Sequence, residues 1–487
     1  MTIFAVTIFV GAIVDAGVTE SRLLSNRRTK RATSERHINY MLKPTEPSGE
    51  KAGVIREQVP GLLPQVATGA EIRGFWWTGK RCFVVAGATL YELLSNMSTV
   101  VLGTLVTSTG KVDMAQGVFS LVLVDGPNGY VFALATNAFA RIADPDFYGS
   151  HRVSFLDGKF QFVRPDTQQF YWSASIDNAT RYDALDFASA ESSSDDIVGH
   201  LVDHRELWLA GETSIEVWQP NPAADQVYSR NSGASIEVGC AARHSLQQVD
   251  NSVVWIGYDR KGQGIVWIAG GANGYTPTRI STQDIEDALA NITDLSGAYA
   301  WTYQDAGQTF YVLQVPEAET TWVWDASTKK WHERAELVNG VLTRWRANAH
   351  IFAFGMHLVG DALGLIYELD PYEYTNAGDP LYREWTAPQS ATPDRGRVTY
   401  ESVRLDVTVG ETGSAVNPMM EMCYSNNGGF TWSNWVARST GLIGQYGKAV
   451  VWDRLGQGRD RVFKYRCSDD AKVSILGVSI KSSKGRP

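Results

Sequence analysis

Cysteine is scarce in this chain of 487 residues: Cys82, Cys240, Cys423 and Cys467 are the only four, far apart and without a Cys-x-x-Cys pair. That spacing argues against a zinc site and against a disulfide-framed secreted domain, so reduced thiols in a protein assembled in cytoplasm are expected. Cys423 and Cys467 fall within reach of one C-terminal sheet, and spacing alone leaves their pairing open. Long apolar runs are missing too. Ile3–Val14 is apolar, yet it is shorter than the roughly 20 residues that cross a bilayer. No Lys or Arg precedes it and no A-x-A-like site follows, so it reads as a buried strand or arm, not an export signal. No membrane insertion is expected.

Positive charge is in deficit: 44 Lys and Arg against 53 Asp and Glu give a formal charge of −9. A general nucleic-acid binder gains affinity by neutralising phosphates, and this balance does not suit one. The exception is a basic cluster between Arg22 and Arg36, centred on Arg27, Arg28, Lys30 and Arg31. It is the candidate contact for a partner or for nucleic acid, a solvated or partner-docked tail being favoured over direct DNA binding because the rest of the chain is acidic.

Enzyme signatures are also lacking. There is no P-loop, no Rossmann glycine pattern after a strand and no G-x-S-x-G elbow. Gly262, Gly264, Gly270 and Gly271 fit hairpin turns better than phosphate cradles. His200 and His204 share a face as a metal pair only on a helix. Their surroundings, Ile197–Leu209, are β-rich, so two ordinary blade histidines are expected. The paired acids Asp195–Asp196, Asp144 with Asp146, and Asp469–Asp470 sit in apparent turns, where carboxylates organise backbone. Ser425–Trp432 resembles an Asp-box turn, with Asn427 in the Asp place. Sialidase-type propellers carry several such turns on their blades; here there is one, outside the repeats, and likeness of fold alone implies no activity. No catalytic residue, metal or cofactor is expected.

What the chain does have is aromatics, 16 Trp, 20 Tyr and 18 Phe, punctuated by 45 Gly. That mixture suits short strands and tight turns, and an all-β fold follows. Arg81–Leu93 is echoed by Glu206–Val217 and more loosely by His357–Leu369: a strand, a Gly turn, and a strand ending in apolar-Glu-apolar or a close variant. Further hairpins lie at Leu121–Phe132, Ser252–Ile268 and Ala300–Trp324. They recur at roughly 35–50 residues, the length of one four-stranded propeller blade, which leaves room for about six or seven blades between Glu71 and Leu369. Thr282–Leu289 is the one convincing helix, opened by a capping residue and an acidic first turn. Residues 386–397 read as a linker. Beyond it Val403, Leu405, Val407 and Val409 alternate with polar residues, and strands continue to Ile480. The expected organisation is an N-terminal arm and leading segment (1–60), a β-propeller (61–385) and an appended C-terminal β-sandwich (398–487).

Several stretches together resemble the packaged-DNA stabilisation proteins, the tail hub or nozzle family of short-tailed bacteriophages. They are Val124–Phe132, Asp144–Phe147, Arg164–Phe170, Asp183–Glu191, Asp203–Leu209, Gly211–Trp218, Gly239–Ala242, Arg260–Val266 and Asn273–Ser281. Their order carries the resemblance, which spans roughly residues 35 to 370 and extends more weakly into the C-terminal sheet. Thr45–Lys51 looks like the family's lead-in, whereas the apolar first residues depart from it.

The resemblance implies a non-enzymatic virion protein of the phage tail, assembled in the host bacterial cytoplasm. It implies a homo-oligomer, a sixfold ring, below the portal and its adaptor. Its partners would be that head-to-tail connector, the tail needle or plug and the tailspike or fibre proteins, with double-stranded DNA passing transiently. The acidic balance agrees, since an electronegative wall lets a duplex slide without arrest. Two alternatives are a sialidase-like carbohydrate-active or carbohydrate-binding propeller, which needs Asp, Glu, Tyr and Arg clustered at one mouth of the ring, and a monomeric propeller scaffold or receptor-binding module.

Overall fold

Alternation of apolar and polar residues fails in the middle of each repeat, and that failure sets the architecture. Cys82–Ala86, Ser120–Val124 and Gln308–Gln314 are buried at every position, so both faces of their sheets must be covered. One sheet cannot do this for itself, but sheets stacked radially can. The computed structural model describes residues 35–44, 54–174, 177–191, 193–221, 227–259, 261–391, 396–408, 413–445 and 447–484. These fall into two compact units, one built from residues 64–329 and 344–369, the other from residues up to 63, 330–343 and 370 onward.

Among the described residues the first unit holds seven sheets. Five are four-stranded antiparallel meanders, running Ile72–Trp77 to Thr99–Thr104, Asp113–Gln116 to Phe139–Arg141, Val153–Leu156 to Phe187–Ser189, Ile197–Asp203 to Tyr228–Ile236, and Gln247–Val249 to Thr278–Arg279. The sixth contributes Tyr299–Asp305, Gln308–Gln314 and Thr321–Asp325. The seventh has Ala349–Ala353, Met356–Gly360 and Leu365–Asp370, and is completed by the strand Gly61–Ala67 from upstream of the first blade. Thr68 N–H donates to the Gly364 carbonyl at 2.8 Å and Gln65 to Glu368 at 2.9 Å across that closure. The first strands of the blades touch in a closed ring, the seventh against the first. This is a seven-bladed β-propeller.

The sequence repeats fall on equivalent strands. Arg81–Leu93, Glu206–Val217 and His357–Leu369 each cover the second and third strands of a blade, paired Ala86↔Thr89, Ala210↔Ile215 and Gly360↔Ile366. Apolar clusters fill the space between neighbours, for instance Phe83, Leu90, Met114 and Leu123 between the first two blades. Ile72, Val84, Leu358 and Ile366 do so between the last and the first. Where inner strands converge, side chains run out of room. A Cβ on Gly74 would stand 2.5 Å from the Val112 carbonyl oxygen of the next blade, a distance only glycine tolerates. Polar ties join blades as well: Asp177, after the third strand of blade three, accepts from the Ser120 hydroxyl at 2.7 Å and from the Phe119 and Ser120 amides. The helix spans Gln283–Leu289, but Thr282 makes no side-chain cap.

The second unit is a β-sandwich. One sheet orders Lys330–Val338, Arg36–Ile38, Arg383–Thr386, Asp460–Cys467, Met419–Ser425 and Val436–Ser439; the other orders Tyr40–Pro44, Val54–Gln58, Ile475–Lys484, Val398–Val407 and Val450–Asp453. Trp385, Met420 and Tyr465 of the first meet Tyr400, Leu405 and Trp452 of the second in one core. The sandwich therefore draws strands from three parts of the chain. Arg36–Ile38, Tyr40–Pro44 and Val54–Gln58 pair inside it, and Ser390–Ala391, in the stretch expected as a linker, pairs with Asp460 and Arg461. Buried Arg383 clamps these segments, donating to Gln58 at 2.7 Å and to the Ala471 carbonyl at 2.6 Å. Asn39, at φ 54°, donates to the carbonyls of Ala335 and Tyr382.

Trp255 tests the stacking. It is fully buried in blade five, with its indole N–H on the Gly239 carbonyl at 3.0 Å. Trp255→Ala is expected to cost about 3–5 kcal/mol, read as a drop in the denaturant midpoint; a change within experimental error would contradict the packing described.

Candidate functional site

The first strands of the blades all start at one mouth of the propeller, and charged residues stand at several of those starts. Lys111 precedes blade two; its ammonium donates to the Asn348 carbonyl before blade seven and lies 3.7 Å from the centre of the Tyr299 ring of blade six. Arg344 donates to the Tyr299 hydroxyl at 3.4 Å. Arg152 of blade three binds Asp113 of blade two at 3.1 Å and the Arg243 and Leu246 carbonyls before blade five. His244 pairs through its backbone with blade six, its carbonyl accepting from Ala300 N–H at 2.9 Å. Glu71 accepts from Asn348 at 3.3 Å. The mouth thus gathers one or two polar residues from nearly every blade.

Burial and crowding set the charges here. Burial pushes the Lys111 ammonium down to about 7, Glu71 opposing the shift and Arg344 adding to it. Burial, reinforced by Arg152, Lys111, His151 and Arg243, drives His244 far below its ordinary value, so its ring is neutral. Burial raises Asp113, against the pull of Arg152. Asp113 Oδ2 is also held by the Val153 amide at 3.0 Å. A hydrolytic role would have to break both contacts.

The sequence-predicted residues separate cleanly. Arg27, Arg28, Lys30 and Arg31 lie outside the described residues, as do Ile3–Val14 and Thr45–Lys51. His200 is buried within the strand Ile197–Asp203, while His204 lies in the following turn at φ 47°, exposed and bonded to Asp203 at 2.8 Å. They do not converge, and among the described residues no three His, Cys, Asp or Glu side chains are placed to hold a metal. The paired acids do organise backbone: Asp195 accepts from the Thr213 and Ser214 amides, Asp144 from those of Asp146 and Tyr182, Asp469 from Met419 and Asp470 from Ser414. In the Asp-box-like turn Asn427 accepts from the Thr431 amide at 2.9 Å and from the Ser425 hydroxyl at 2.8 Å, as a structural turn requires. All four cysteines are buried and free. The mouth cluster was missed because each blade supplies its part from an irregular connector, with no shared motif.

The described residues form a seven-bladed propeller, in which the polar groups noted above serve turns and inter-blade ties, and a β-sandwich. Sequence comparison agrees and is specific: the bacteriophage P22 Gp10 β-propeller family matches residues 33–373 and the Gp10 β-sandwich family matches 387–483. The chain belongs to this family of packaged-DNA stabilisation proteins, phage structural components of the virion. No curated protein matches the sequence. Among solved structures it is similar to the designed protein Ika8, at 13% identity, covering 69% of this chain and 100% of that one with a TM-score of 0.35. It is also similar to the Neurospora crassa Pan2 WD40 domain, at 7% identity, covering 67% and 97% with a TM-score of 0.42.

His200 yields a pH prediction. Burial, with Arg152 nearby, pushes it from 6.5 to about 3, and neither ring nitrogen has a hydrogen bond of ordinary geometry. Below pH 6.5 the unfolded chain takes up a proton that the folded chain refuses until about pH 3, so stability falls as pH falls across that window. One such group contributes a slope of about 1.4 kcal/mol per pH unit. His200→Phe should remove that slope in denaturant titrations between pH 6 and pH 4.5; an unchanged slope would refute a neutral buried His200.

Proposed function

We propose that this chain is a subunit of a phage tail hub or nozzle: an oligomeric ring, a hexamer, below the portal-adaptor complex, which retains packaged DNA and conducts it at ejection. The tandem family match, propeller then sandwich across most of the chain, carries this reading. The physical character of the molecule supports it. A conduit needs shape and fit instead of bond chemistry, and a net charge of −9 lets a duplex pass without the many phosphate contacts that would hold it. The basic cluster Arg27, Arg28, Lys30 and Arg31 supplies a docking contact to a neighbouring tail protein or to DNA. Needle or plug and tailspike or fibre proteins are the remaining partners, and assembly takes place in the host cytoplasm.

Mass photometry with and without portal-adaptor complexes tests the proposal. The expected species in their presence adds six copies of 53.6 kDa, and replacing the four basic residues by Ala should lower its yield. A chain that stays monomeric with every connector offered would sink the ring. An image of the ring with a channel wall dominated by Lys and Arg would sink the electronegative conduit.

A further inference from the structure

The tryptophans beyond residue 380 divide into two pairs. Trp385 and Trp452 fill the sandwich core, and their indole N–H groups donate to Glu35 and to the Val436 carbonyl, each at 2.8 Å. Trp432 and Trp435 stay outside that core, half-buried, in the connection between Met419–Ser425 and Val436–Ser439. Lys464 covers one face of the Trp432 ring, 4.5 Å from its centre, and Arg466 one face of the Trp435 ring at 3.9 Å. Both cations rise from the strand Asp460–Cys467 on the side opposite Phe463 and Tyr465, which enter the core. Their strand positions are two residues apart, roughly 7 Å, so the two rings lie over the same sheet face. Among the described residues neither ring meets another ring or a second cation, and neither indole N–H has a hydrogen-bond partner or is sealed from solvent. Phe430, 60% exposed, and Asn434, whose side-chain amide makes no hydrogen bond among the described residues, stand in the same connection.

We propose that Trp432 and Trp435 form a platform for a glycan, with one pyranose on each ring. A pyranose offers an apolar C–H face and a rim of hydroxyls. The indole faces match the first, and the indole N–H groups with the Asn434 amide match the second. A cation behind a ring draws π density from its other face, but Glu384 at 3.3 Å and Glu421 at 2.6 Å balance Lys464 and Arg466. The cations thus fix the rings in orientation, which removes an ordering cost that a mobile tryptophan incurs on binding. An amphipathic protein helix needs a continuous apolar groove, and two separate rings with polar groups between them do not make one. A purely structural role would bury the rings and bond their nitrogens, as at Trp385 and Trp452. The proposal concerns the sandwich alone and stands apart from the tail reading.

Electrophoresis of the full chain through native gels, each containing dextran, xylan, galactomannan or delipidated bacterial lipopolysaccharide, tests it. Retardation in at least one of these gels is expected. Trp432→Ala and Trp435→Ala should each weaken the affinity read from that retardation about tenfold, and Trp435→Phe should restore part of it. Tyr372→Ala, which removes another exposed aromatic ring, should leave it unchanged. Melting curves of the variants without glycan verify folding, and the two Trp435 variants decide alone if Trp432→Ala loosens its turn. No retardation in any gel, or retardation indifferent to Trp435→Ala, overturns the platform.

Discussion

Ring closure is the constraint on which the propeller depends. Its middle strands are apolar on both faces, so no blade is stable at the end of a row. Leaving the seventh and first blades apart would expose Ile72, Val84, Leu93, Leu358 and Ile366 among others. At roughly 1.5–3 kcal/mol per large apolar side chain, that loss is comparable with the whole net stability of a domain, about 5–15 kcal/mol. The chain solves the problem by giving blade seven a strand from ahead of blade one, the Gly61–Ala67 segment. Beginning and end of the ring are then hydrogen-bonded within one sheet.

Polar side chains follow the same logic. Most of the noted carboxylates and buried cations serve the backbone: Asp177 holds two amides of the preceding blade, Asp195 two amides of a turn, and Arg383 a carbonyl of a distant segment. Side chains so used cannot easily act on a substrate, because each reaction would leave a buried amide or carbonyl unpaired. At the mouth of the propeller Lys111 and Arg152 likewise tie connectors together, through the carbonyls of Asn348, Arg243 and Leu246.

The blades were legible in the sequence because their middle hairpins combine dense apolar and β-branched residues with a Gly turn, as in Arg81–Leu93 and Glu206–Val217. Their fourth strands were not: Thr99–Thr104 is half exposed and Thr278–Arg279 only two residues long. The strand nature of 383–391 was hidden by Pro, Ser and Thr, which look like a linker when the partner strand Asp460–Cys467 is out of sight. Likewise, nothing local to Arg36–Ile38 tells that its partner strands lie beyond residue 330. The paired acids and His200 were readable from their β-rich or turn-rich surroundings. The cluster at the mouth was not, because it exists only once the blades have been brought around.

The way the sandwich gathers strands has a consequence for biosynthesis. Asn39 binds the Tyr382 carbonyl across 343 residues, and Trp385 binds Glu35 across 350. On the ribosome those early strands emerge long before their partners, and wait while the whole propeller sequence is translated. Such long-range pairing makes for slow maturation. Nascent chains cut short near residue 370 would carry unpaired strand edges, a substrate for chaperones or for aggregation.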